Sequence, residues 1–108
     1  MRTSTATRNQ DGTVTVLLRA TGPKRSPEVT AVFPCDPADR GGDMMTCYAH
    51  VGQHSGCSLQ WYRTTRPATK EEAAPLLAEL RSIGYTKLRV VQRISDEMHE
   101  VRRCTAWS

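Results

Sequence analysis

At 108 residues the chain is one domain's worth of sequence, because two halves of that length would each lie near the lower limit for a self-sufficient core. Hydrophobic residues make up 38%, and the aromatic residues are Phe33, Tyr48, Trp61, Tyr62, Tyr85 and Trp107, enough for one modest core and too few for a large internal cavity. The net charge of +4 is divided between the two ends, with Arg40 set against Asp36, Asp39 and Asp43 in between, so the clustered basic face of a dedicated nucleic-acid domain is missing.

Residues 1–12 are polar and without period and are expected to form a loose N-terminal tail. They lack the apolar stretch of a secretory signal. No later run approaches the ~20 apolar residues that span a bilayer. The expected location is therefore cytoplasmic, with no membrane partner and with the cysteines as thiols.

A single α+β domain is expected over residues 13–95. Thr13–Arg19 alternates Val14, Val16 and Leu18 with Thr15, Leu17 and Arg19, which is strand periodicity. Gly22, Pro23 and Pro27 make a turn. Glu28–Phe33 reads as a second strand stopped by Pro34, and Cys35–Asp43, with Pro37, Gly41 and Gly42, as an exposed, mobile loop. Met44–Val51 and Cys57–Arg63 read as a hairpin around residues 52–56.

Thr69 and Glu72 form a capping box ahead of an apolar stripe of Ala73, Leu76, Leu77, Leu80 and Ile83, and Gly84 ends the helix. Pro75 implies either a kink or a regular helix that begins later than the cap. Tyr85–Ile94 returns as a strand, with Leu88, Val90 and Ile94 on one face and Arg89, Val91 and Arg93 on the other. Residues 96–108 form a C-terminal tail in which 96–103 can be a short helix. The expected architecture is a two-layer sandwich: a mostly antiparallel sheet of about five strands, in the order ββββαβ, with one long helix on one face. Its other face is left to solvent or to a partner, a second copy of the chain included. The last strand crosses over through the helix and can lie parallel to a neighbour.

Most of the chemistry falls between Met45 and Arg63. Alternation places Met45, Cys47, Ala49 and Val51 together with Cys57, Leu59 and Trp61 on an apolar face under the helix. The simplest register, centred on His54, pairs Cys47 with Trp61 and Tyr48 with Gln60. The opposite face then presents Thr46, Tyr48, His50, Ser58, Gln60 and Tyr62. Tyr48, His50, Gln60 and Tyr62, with His54 at the tip, are the candidate binding surface, since aromatic rings supply contact area while their hydroxyls orient a partner. Stacking of bases on Tyr48 and Tyr62 gives a weaker, nucleic-acid reading.

Cys47, His50, His54 and Cys57 offer four zinc ligands within eleven residues. Strand geometry argues against the set, because Cys47 and His50 lie three apart and point to opposite faces; only a bulge would gather them. No catalytic set can be assembled around His54 or the thiols, and no cofactor motif is present. Arg63 and Arg66, leading into the helix start, are the candidate anion site.

The segments Val29–Pro34, Thr46–His54 and Trp61–Thr69 resemble a group of small bacterial proteins of unknown function, over roughly residues 29–94. The resemblance implies a bacterial source and a compact domain, and it carries over no activity and no site residue. The leading expectation is a non-enzymatic module that binds a protein through the 44–63 hairpin. The alternative is a small metal- or anion-binding protein or enzyme centred on His50, His54 and Cys57.

Overall fold

A computed structural model describes residues 13–49 and 54–107. The chain is an α+β domain with a six-stranded, mostly antiparallel sheet. Its elements are β1 (Val14–Thr21), β2 (Glu28–Pro37), β3 (Met45–Tyr48), β4 (His54–Cys57), α1 (Leu59–Arg63), β5 (Arg66–Pro67), α2 (Lys70–Ser82), β6 (Leu88–Val90) and α3 (Asp96–Trp107). The strand order is β4-β3-β2-β1-β5, and β6 lies parallel to β1 beside Val14–Val16. Residues 1–12, expected to be a tail, fall outside the described residues, as does His50.

β1 explains the layering. Residues 14–20 are all buried, which a strand achieves only when both faces of the sheet are covered. One face packs Val14, Val16, Leu18, Ala31 and Phe33 against Ala73, Leu76 and Leu80 of α2. The other packs Leu17, Val32, Met45, Cys47 and Cys57 beneath Leu59, Trp61, Val91 and Ile94. The faces are thus exchanged relative to expectation: the Tyr48 face lies under α2, the Met45, Cys47 and Cys57 face lies opposite it, and both are covered. Residues 96–107 form a docked helix longer than the short one expected over 96–103.

Arg102 fastens that helix. Its side chain is fully buried and donates to Gly42 O at 2.7 Å, Pro34 O at 2.9 Å and His99 Nδ1 at 2.8 Å. Gly42 has φ +76, and a Cβ there would stand 2.8 Å from Arg103 Cα, so only glycine admits α3. The 35–43 segment is therefore built into the fold: β2 runs on through Pro34 and Pro37. The register jumps from Phe33–Thr46 to Pro37–Met45, so the two prolines sit at a bulge, where a missing amide donor costs little.

Helix α2 begins at its cap. Thr69 accepts from Glu72 N at 3.1 Å, Glu72 accepts from Thr69 N at 2.9 Å, and the helix continues through Pro75. At the far end Tyr85 N donates to Leu80 O and Gly84 N to Arg81 O, a Schellman closure with Gly84 at φ +119. The last strand is shorter than its periodicity implies. It ends at Val90, after which Val91 and Ile94 pack on the face opposite Leu88, so Ile94 and Leu88 do not share a side. Among the described residues no helix is long and apolar enough to cross a membrane.

Candidate functional site

The hairpin register pairs Met45 with Cys57, Cys47 with Ser55 and Tyr48 with His54, each partner six residues earlier than in a His54-centred register. The return strand stops at Cys57 because Ser58 caps a helix: its hydroxyl accepts from Trp61 N at 3.1 Å. Gln60, Trp61 and Tyr62 therefore lie on α1 and not on the sheet. Gln60 is exposed and Tyr62 half-buried.

On the α2 face the hairpin contributes Tyr48 and His54. Tyr48, expected at the surface, is 1% exposed, and its hydroxyl donates to the Glu79 carboxylate of α2. Alternation had correctly separated it from Cys47, but with both faces covered, separation does not mean exposure. The His54 ring lies 5.1 Å from the Tyr48 ring and 6.1 Å from that of Phe33, which stacks on Tyr85 at 5.1 Å. His54 Nε2 and Tyr85 Oη are 2.8 Å apart, an imidazole–phenol pair able to hold or pass a proton. Nearby, burial pushes the Asp36 carboxyl up, opposed by its hydrogen bond with Thr46 and the charge of His54.

On the opposite face lie Met45, Cys47 and Cys57, each buried. Cys47 Sγ and Ser55 Oγ are 3.3 Å apart. A hydrogen bond from Cys57 holds the Cys47 thiol down at about 6 against the opposing effect of burial, while the same bond and burial push Cys57 up. His54 belongs to the other side of the sheet, so Cys47, His54 and Cys57 do not converge as a zinc set. Among the described residues no group of three or more His, Cys, Asp or Glu side chains gathers as a metal site.

The anion candidates separate as well. Arg66 makes a bidentate pair with Glu72, at 2.9 and 2.8 Å, and these bonds together with the Thr69 amide hold the Glu72 carboxyl down at about 2. Arg66 is thus neutralised, and Arg63 is exposed on α1. A cation that sequence reasoning passed over, Arg19, is 9% exposed; it donates to Thr65 Oγ1 and Thr65 O, both at 2.7 Å, and stands 4.5 Å above the Tyr62 ring. Stacked and hydrogen-bonded, it locks α1 to the sheet.

A groove of about 690 Å³ runs along the flank of α2. Leu18, Ala68, Ala73, Ala74, Leu77 and Val90 form its apolar lining, and Lys70, Glu71, Arg81 and Gln92 edge it. It opens where β6 ends at Val90 and β5 begins only at Arg66, so the outer edge of β1 is shared between two short strands. The signal for it was present in the helix: Leu77 and Ala74 widen the apolar stripe beyond what Leu76 and Leu80 need. Comparison with family models, with curated proteins and with solved structures returns no match.

Proposed function

We propose that the protein is a non-enzymatic, cytoplasmic binding module that takes an acidic segment of a partner protein along the α2 groove, with an apolar side chain of that segment seated inside. The observation that carries the reading is the apolar groove itself, with Val90 exposed at 43% beside it. The 44–63 hairpin, expected as the binding surface, offers less, since Tyr48 is core and Tyr62 is occupied by Arg19.

Charge complementarity selects the occupant. Glu72 is held by Arg66, and Glu79 accepts from Tyr48, which leaves Glu71 facing Lys70 and Arg81 at the groove. Exposed Arg89 and Arg93 continue the basic character along β6 and its exit. β6 has β1 as its strand neighbour and is three residues long; basic edge strands of this kind resist pairing with their own copies and accept acidic ones.

The test uses synthetic peptides carrying one leucine flanked by glutamates, with matched lysine-flanked and leucine-to-serine versions. The glutamate–leucine peptide is expected to bind, the other two to bind at least about tenfold more weakly, since burying a leucine contributes ~1.5–3 kcal/mol. Added salt should weaken binding. Ala74→Arg, at an exposed helix position in the groove, should abolish it without altering thermal stability. Equal binding of all three peptides, or binding unchanged by Ala74→Arg, rules the reading out.

A further inference from the structure

We propose that Met45, Cys47 and Cys57 form a buried site for a soft monovalent metal ion, copper(I), held by two thiolates and a thioether. The three side chains share one sheet face and one cluster, with Met45 directly opposite Cys57, and Cys47 two residues along from Met45. Sulfur donors select copper(I) over harder ions, and this set has neither the four ligands nor the nitrogen donors usual for zinc.

The geometry also favours a bridging ion over a direct disulfide. Cys47 pairs with Ser55, so Cys57 lies on its diagonal. Diagonal neighbours stand roughly 7–8 Å apart at Cα. A disulfide prefers about 4.4–6.8 Å, and the pair is present as two free thiols in hydrogen-bond contact, close enough for one ion to bridge.

Binding balances simply: one copper(I) displaces whatever protons the two sulfurs still carry, which leave to solvent, and the bis-thiolate complex carries one negative charge. Thioether coordination by Met45 changes no charge. A positive counterpart is already in place. Arg102 is fully buried, its partners are two carbonyls and a histidine nitrogen, and it acts electrostatically on Cys57. Cys35, Asp39 and Asp43 also act on it, so the copper complex would share its charge with them. Leu59, Trp61, Val91 and Ile94 close the site from above, which keeps water and oxidants from the ion. An ion reaches it from the edge, because β4 is an outermost strand and Ser55 beside Cys47 is exposed.

The experiment titrates the reduced full chain, without oxygen, with copper(I) supplied as its acetonitrile complex, in competition with bicinchoninate. One copper per chain is expected, with a near-ultraviolet thiolate-to-copper band, and both should persist in a Cys35→Ser/Cys104→Ser variant. Cys57→Ser should weaken binding by more than about 100-fold, the upper end of what even an outer-shell partner costs. Met45→Leu should weaken it by about tenfold while conserving core volume, so the site stays testable if the cysteine variant misfolds. Copper binding that survives Cys57→Ser, disappears with Cys35 and Cys104, or is untouched by Met45→Leu would overturn the assignment.

Discussion

Tyr48 lies with its ring under α2 and its hydroxyl on Glu79, so two substitutions there probe two forces. Tyr48→Phe keeps the packing and removes a hydrogen bond to a charged acceptor, an expected loss of about 1.5–3 kcal/mol. Tyr48→Ala also removes the ring and should cost about 3–5 kcal/mol. Urea denaturation of both variants checks the ranking; a Tyr48→Ala protein as stable as the wild type would mean the ring is not core. The same residue shows why the site was only partly legible. Alternation in sequence tells which side chains share a face, but which face is buried depends on what packs there. Tyr85 and Glu79 joined the cluster from distant segments, through contacts no local pattern encodes.

Among the elements, α3 is held by a bond that depends on pH. Arg102 Nη2 donates to His99 Nδ1, so that nitrogen must be unprotonated. Burial, then the Arg102 and Arg103 charges, push the His99 pKa below its ordinary 6.5, against the weaker pull of Asp96. Asp39 and Asp43 of the segment between β2 and β3 act on Arg102, and Glu97 of α3 and Cys35 complete the charged surroundings. Unfolded chain therefore binds the His99 proton more readily than folded chain. Stability is fully present above about pH 6.5 and is lost as pH falls from there through the lowered folded value. His99→Gln should flatten the denaturation midpoint across that window while the wild type declines; parallel curves for the two proteins would remove His99 from the docking of α3. Helix α2 behaves differently because its instructions are local. Thr69, Glu72 and Gly84 act within a turn or so of themselves, which is why its ends were readable in advance and the longer reach of α3 was not.

At the scale of the molecule, the sheet is a central layer with apolar side chains on both sides. Removing residues 96–108 would strip α3 from β2 and leave Pro34 O and Gly42 O without Arg102. Such a truncated chain should self-associate in size-exclusion chromatography and lose its cooperative thermal transition, because the β2 surface that α3 packs on and two carbonyls bonded by Arg102 would be bared together. A monomeric truncated chain that melts like the full one would show that α3 is dispensable.

Sequence alone determined what short-range chemistry controls: the α+β class, the strands that open the chain, the capped helix and its glycine stop, and the sharing of one face by Met45, Cys47 and Cys57. Tertiary structure decided which faces are covered and where the hairpin register falls; the Ser58 cap that starts a helix where a strand was expected is local and was a missed sequence signal. The fold also brought His54 to Tyr85, Arg66 to Glu72 and Arg102 to Gly42. The division has one physical reason. Periodicity and capping are properties of neighbouring residues, whereas burial and pairing are set by whichever remote segment displaces the water.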